Sequence, residues 1–255
     1  MKIRRRLRFL NRTNSNTVRE ITDEGYVVHR RRLRESSYVL QVLTRTCGQL
    51  SLVMRGGSPT NMRRIEIPIE FKTFQFTWAG KAEMPTIRRA EASGLAYRYV
   101  GDRLFCGLYV NELVSRFLHR GDANAEVFSA YEYTLRRLSQ GAELEPLLRS
   151  FEVALLKACG YEMALENVVD LALPLDSEGA YFYVPEFGAV SRRPADLHRE
   201  VSGASLLALA GRQAWTPESS RDAKRLMRFV IQYHLGGREL TSRTLFKHSS
   251  SIESE

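Results

Sequence analysis

Six arginines in one short stretch are the side chains of this sequence best suited to do chemistry. Arg30, Arg31, Arg32, Arg34, Arg45 and Arg55 lie between Gly25 and Gly57, and Glu35 is the only acidic residue among them. A guanidinium stays protonated at any ordinary pH and presents a planar fork of donors that matches a phosphate group. Grouped in this way, such residues hold a phosphate backbone; they do not make or break bonds. Arg63, Arg64, Lys72, Arg88 and Arg89 extend the set along the next stretch of chain and are candidate nucleic-acid contacts too. Aromatic residues are interleaved with them, and an exposed ring stacking on a base is worth about 1–3 kcal/mol. Phe74, Phe76 and Trp78 share one phase of an interior strand, which points to core packing rather than stacking. Tyr26 and Tyr38 fit either role.

The charge of the whole chain is distributed to match. Residues 1–100 hold 20 Lys and Arg against 8 Asp and Glu, whereas residues 101–255 hold 18 against 21. The formal net charge of +9 therefore comes entirely from the front of the chain. An anionic partner at that end follows, nucleic acid ahead of a membrane surface; the plain alternative is a basic face that only keeps the protein soluble. With 44% hydrophobic residues the chain can bury a core. No apolar run reaches the length of about 18 residues that a membrane span needs.

Bond-making chemistry finds little support. The phosphate-binding Gly-x-x-x-x-Gly-Lys loop, the His-Glu-x-x-His metal pair and the Gly-x-Ser-x-Gly nucleophile turn are absent. His29, His119, His198, His234 and His248 are scattered, and Cys47, Cys106 and Cys159 stand far apart with no Cys-x-x-Cys pair. Neither a metal site nor a cofactor is expected, and unpaired cysteines suit a reducing cytoplasm. Asp170 and Asp176 occupy a loop-like stretch without a nearby histidine and read as solvated surface. The chain is expected not to be an enzyme; the rival reading puts an unrecognised site in Tyr161–Asp196, which a perturbed carboxylate in a concave pocket would support.

Positioning the arginines falls to short strands. Tyr26–Arg31, Tyr38–Thr44 and Leu50–Met54 alternate with period two and are joined by polar or glycine-ended turns, so the arginines sit at strand ends and turns. Ile65, Ile67, Ile69 and Phe71 keep one phase, and Phe74, Phe76 and Trp78 keep the other. That slip predicts a bulge or break near Lys72-Thr73, of the kind a sharply bent barrel needs. Met84–Ala90 makes a fifth strand. Five short strands fit a small closed barrel, with the OB-fold as the five-stranded option and an SH3-like barrel as its rival.

Beyond Ala92 the period becomes helical. Apolar stripes end at Gly121, Gly141 and Gly160 and predict three antiparallel helices. Tyr161–Asp196 reads as an irregular insertion with a short hairpin, Tyr181–Val184 against Ala189–Ser191. A short helix follows over Gly203–Ala210. A long one, N-capped by Thr216 with Pro217 at its first position, runs to His234. Lys224, Arg225 and Arg228 lie along that helix as one basic face, either solubilising or able to receive an acidic peptide. The expected architecture is thus α+β and multidomain. A leader (1–24) precedes an OB-fold barrel (25–98), an all-α helical domain (99–248, irregular insertion 161–196) and a disordered tail (249–255). The Arg-rich leader is expected to be poorly ordered; it fits a transit peptide, a tail adding phosphate contacts, or an over-long start.

Five blocks of residues, in order, resemble one family. They are Gly25–Tyr38; Cys47–Gly56; Gly107-Leu-Tyr-Val-Asn-Glu-Leu-Val-Ser-Arg116; Arg149–Leu156 with Gly160-Tyr161; and Leu235-Gly-Gly-Arg-Glu-Leu-Thr-Ser-Arg-Thr-Leu-Phe246. Over about residues 25–248 the chain is similar to RecO, the bacterial recombination mediators. The resemblance implies an N-terminal OB-fold and a helical domain, binding of single- and double-stranded DNA, and annealing of complementary strands. It also implies contacts with single-strand-binding protein and RecR, and help in loading RecA, in the cytoplasm at the bacterial nucleoid. It further implies a pocket with a basic rim on the helical domain for the acidic, apolar tail of single-strand-binding protein, with Arg149, Lys157, Lys224, Arg225 and Arg228 as rim candidates. Many relatives carry four zinc-binding cysteines in the segment matching Tyr161–Arg193; this chain has none there and resembles the zinc-free branch. The alternative is a non-enzymatic adaptor whose helical domain is the working surface and whose barrel binds RNA or merely solubilises.

Overall fold

The alternating runs of the first part become five strands: β1 (Glu20–Arg34), β2 (Ser37–Thr44), β3 (Gly48–Arg55), β4 (Lys72–Ala79) and β5 (Thr86–Ala96). They come from a computed structural model that describes residues 20–34, 37–55, 67–80, 82–195 and 197–243. The strands close in the order β1-β2-β3-β5-β4, with β3 and β5 parallel and the other pairs antiparallel, as in an OB-type barrel. Paired residues followed around the ring, Glu20–Ala79–Thr86–Val53–Val39–Arg31, return to β1 eleven positions further along. So large a stagger means steeply tilted strands and a narrow interior that side chains fill. Val27, Leu40, Val42, Leu52, Phe74, Phe76, Trp78 and Ile87 fill it.

Glu20–Glu24, grouped with the leader on sequence, belong to β1 and pair with β4 from Ala79 to Gln75. The rest of the expected leader and the tail beyond Arg243 lie outside the described residues.

The phase slip marks the place where the chain leaves one core for another. Phe71 has a left-handed backbone (φ 61), a conformation bulky residues adopt only when neighbours force it. Its ring packs edge-on to Tyr99 at 5.0 Å, in the core of the helical domain. Three residues on, Phe74 points into the barrel. The register shift between Lys72 and Phe74 absorbs the change.

Helices α1 (Asp102–Phe117), α2 (Ala125–Ser139) and α3 (Leu144–Ala158) form the first layer of the helical domain. Asn124 caps α2 by accepting from the Val127 N–H at 3.0 Å. The insertion is more regular than its sequence suggests. Strands β6 (Asn167–Val168), β7 (Leu173–Pro174), β8 (Ala180–Val184), β9 (Gly188–Val190) and β10 (Arg199–Ser202) form a sheet ordered β10-β8-β9-β6-β7. Tyr181, Tyr183, Val168 and Val201 of this sheet join the main core. Apolar burial holds the insertion in place, and its residues do not fit a zinc ion: among the described residues no His, Cys, Asp or Glu cluster could hold a metal. After α4 (Gly203–Leu209), helix α5 (Pro217–His234) starts with the Thr216 capping box and Pro217 at its first position. No described helix is long and apolar enough to cross a membrane.

Barrel and helical domain share one core. Tyr26, Val28, Leu43 and Phe71 of the barrel pack among Phe128, Tyr131 and Tyr99. Tyr26 donates its hydroxyl to Glu132 at 3.0 Å, and Ser115 donates to the Gln41 side chain at 2.6 Å. The β2–β3 turn comes so close to the backbone of Asp122 that a Cβ on Gly48 would lie 2.3 Å from its carbonyl oxygen.

Candidate nucleic-acid interface

The β1–β2 hairpin carries the arginines away from this seam. Val28 is the last buried residue of β1, and His29, Arg30, Arg31, Arg32 and Leu33 are all exposed. Both faces of the strand are therefore solvated, so consecutive arginines need not compete for one side. Arg31 pairs with Val39, Arg32 with Tyr38, and Ser37 with Arg55 on the next strand. Arg30, Arg31, Arg32 and Arg55 thus share one corner of the sheet. The Arg30 guanidinium lies 5.7 Å from the Tyr38 ring centre, which answers the question of Tyr38: half-exposed, it braces a cation.

Closure of the barrel brings two more arginines near. β3 and β5 pair only at Val53 and Thr86, two residues before Arg55 on one strand and Arg88 on the other. Beyond Ile87, β5 has β4 alone as a described neighbour. Arg88 and Arg89 are exposed, and Arg89 bonds Glu91 at 3.0 Å. Arg30, Arg31, Arg55 and Arg88 have no carboxylate partner among the described residues. Exposed and unneutralised, they are disposed to hold phosphates.

Arg45 and Lys72 are not part of this group. Arg45 lies in the β2–β3 turn, at the seam. It forks onto Glu24 at 2.7 and 3.0 Å, approaches Glu132 at 3.6 Å and covers the Phe128 ring at 4.3 Å. Carboxylates from within the protein already occupy its donors. Lys72 sits at the far end of β4, paired with Ala96, its ammonium 5.4 Å from the Phe74 ring centre. The Arg34 side chain, Arg63 and Arg64 lie outside the described residues. Phe74, Phe76 and Trp78 are barrel core, and Tyr26 is buried in the seam, so none of these four is a stacking platform.

The second basic set divides. Adjacent residues on a helix point about 100° apart, whereas positions i and i+4 share a face. Lys224 and Arg228 accordingly line one pocket with Arg149 and Arg243, and Arg225 lines a different concavity. Lys157 is elsewhere again, exposed and bonded to Glu162 at 2.6 Å. Asp102, Cys106, Tyr109, Leu144, Glu145 and Leu148 complete the first pocket, whose volume is about 190 Å³; Glu145 bonds Lys224 and lies 3.9 Å from Arg149.

Arg149 differs from the solvated rim residue expected. Its side chain is 4% exposed and bonds the fully buried Glu152 at 2.8 Å, while the Tyr109 hydroxyl donates to the same carboxylate at 2.6 Å. Burial pushes the Glu152 carboxyl up, against the pull of Arg149 and Tyr109. Arg149 Nε and Nη1 and Arg243 Nη2 have no hydrogen-bond partner among the described residues. Buried donors of this kind are costly when unmet and hold an incoming carboxylate strongly. Arg243 was not singled out on sequence, although it lies in the Leu235–Phe246 block; a motif residue shows that a position matters and not what it touches. That block locks onto α1: Glu112 accepts from the Thr241 N–H (2.9 Å), the Ser242 N–H (2.8 Å) and the Ser242 hydroxyl (2.7 Å). Burial pushes the Glu112 carboxyl up, but these bonds and Arg116 outweigh it and leave it below its usual range.

An OB-type barrel with a guanidinium-lined corner, set on a helical domain with a pocket that holds Arg149, Lys224 and Arg228, defines a two-part class of protein. The chain belongs to the recombination protein O family: the model described as "Recombination protein O N terminal" matches residues 18–95 and "Recombination protein O C terminal" matches residues 98–244. Similar chains include the "DNA repair protein RecO" of Methylococcus capsulatus, 37% identical over 91% of this chain and 95% of that one. Those of Pseudomonas aeruginosa (37%, covering 87% and 92%) and Polynucleobacter asymbioticus (33%, covering 90% and 96%) are similar along nearly their whole lengths.

Proposed function

We propose that this chain is a DNA-binding recombination mediator in recombinational DNA repair, with no catalytic chemistry of its own. The relatives' names as DNA repair proteins support the process, and Arg30, Arg31 and Arg55, exposed and without a carboxylate partner among the described residues, carry the mechanism. Phosphates held there lose their mutual repulsion, so two complementary strands come close enough for their bases to pair. The pocket of Arg149, Lys224 and Arg228 takes the acidic, apolar tail of single-strand-binding protein. Its apolar walls receive the side chains and its unpartnered guanidinium N–H groups receive a carboxylate. With both sites filled, the protein sits on coated single strands and, with RecR, clears the way for RecA. Strand annealing with and without single-strand-binding protein, at two salt concentrations, tests this. The expected result is faster annealing that persists on coated strands and weakens as salt rises. An adaptor that only binds proteins would retain its partners after nuclease treatment and shift no DNA.

A further inference from the structure

The concavity that receives Arg225 lies where β8 and β10 of the inserted sheet meet α5. Its volume is about 560 Å³, a size that takes a nucleotide-scale ligand. Arg193, Arg199 and Arg225 line it, all exposed, and none of their guanidinium groups has an ion-pair or hydrogen-bond partner among the described residues. Two carboxylates stand beside them. Asp222 is already committed: its Oδ2 accepts from the Ser202 N–H at 2.8 Å, the Ser202 hydroxyl at 3.1 Å and the Ser205 hydroxyl at 3.0 Å. Those bonds do not cancel its charge, so among the described residues three guanidinium groups face two carboxylates, Asp222 and Glu200, an excess of one positive charge. Phe182, half-buried, meets the His198 ring edge-on at 5.4 Å in the same wall.

This lining chooses between anionic partners. A docked peptide needs an apolar recess for its anchor residues. Among the described residues its apolar lining is Ala180, Phe182 and Val201, with no Leu, Ile, Met or Trp, whereas the pocket of Arg149 has two leucines. A partner that carries its charge on the outside at regular intervals, with flat rings between, matches arginines grouped around an aromatic pair. We propose that this concavity is a second phosphate-binding site, taking a single strand of nucleic acid independently of the barrel corner. The barrel packs on α1, and α3 packs between α1 and α5, so the helical layer separates the two sites. A chain holding one strand at each site brings two strands to one molecule; that use in annealing rests on the DNA-binding reading above, while the site itself rests on its own residues.

Counting bound strands tests it. A fluorescent single-stranded oligonucleotide of about six nucleotides, short enough for one barrel-sized site, is titrated at low salt. It is offered to the full chain, to Arg30→Ala/Arg31→Ala/Arg55→Ala, to Arg199→Ala/Arg225→Ala, and to the combination of all five. The expected stoichiometries are two, one, one and none. If the barrel variant keeps two and the Arg199/Arg225 variant keeps one, the barrel reading fails and this site stands. If the Arg199/Arg225 variant binds as many strands as the unaltered chain, the proposal is overturned. A short poly-aspartate peptide released by Arg199→Ala/Arg225→Ala, with the oligonucleotide count unchanged, overturns it in favour of an acidic protein partner.

Discussion

What an arginine does in this protein depends on whether a carboxylate reaches it. Arg31 on β1 and Arg45 in the β2–β3 turn are the same residue type, yet Arg31 has no carboxylate partner among the described residues while Arg45 is held by Glu24, Glu132 and the Phe128 ring. Arg45→Ala is therefore expected to lower the melting temperature, losing about 1–2 kcal/mol of ion-pair and cation–π contact. It should leave the salt dependence of DNA affinity unchanged; a shallower slope would return Arg45 to the phosphate-binding group. The sequence showed the type and number of the arginines but not this division, because Glu132 is brought to Arg45 only by folding. Glu112 offers a pH test. Its folded-state carboxyl titrates below the ordinary value of 4.5, so it stabilises the fold above that pH, and the contribution fades as pH falls through the lowered value. Glu112→Gln should lower stability near neutrality and flatten the acid limb of the stability curve. An acid limb as steep as that of the unaltered chain would show that Glu112 is not the group whose charge clamps Thr241 and Ser242.

Elements were legible where a periodic run is long and obscure where it is short. The slip between Phe71 and Phe74 marked a real break, though only the structure shows it as a passage between two cores. Residues 20–24 offer Ile21 as their sole large apolar group, too little alternation to reveal the start of β1. Of the inserted sheet, the sequence showed the hairpin of β8 and β9 but not β6, β7 and β10, because β6 and β7 are two residues long and β10 four. On α5 the basic residues were read as one face; the helical turn sends Arg225 to a different surface from Lys224 and Arg228. The β2–β3 turn supplies a prediction at this scale. Gly48 combines a left-handed φ of 73° with an approach to the Asp122 backbone that leaves no room for a methyl group. Gly48→Ala should cost more than the ~1 kcal/mol of an unstrained glycine change, and should loosen the barrel from α2. Unchanged stability would mean that the turn is not pressed against Asp122.

At the scale of the molecule, barrel and helical domain are two sequence families' worth of structure with one shared core. Tyr26 and Phe71 leave the barrel interior to pack against Tyr131 and Tyr99. The β2–β3 end of the barrel is spent on that seam, so the opposite corner, with Arg30, Arg31, Arg32 and Arg55, faces outward. Helix α1 and the C-terminal segment, far apart in sequence, meet through Glu112. The helical domain presents its own pockets elsewhere. The most direct measurement is the salt dependence of single-stranded DNA affinity for Arg30→Ala/Arg31→Ala/Arg55→Ala beside the unaltered chain. Each phosphate contact on a single strand contributes about 0.7 to the slope of log K against log salt, so a slope shallower by about 2 is predicted. A folded variant with the same slope as the unaltered chain would contradict the claim that this corner holds the phosphate backbone.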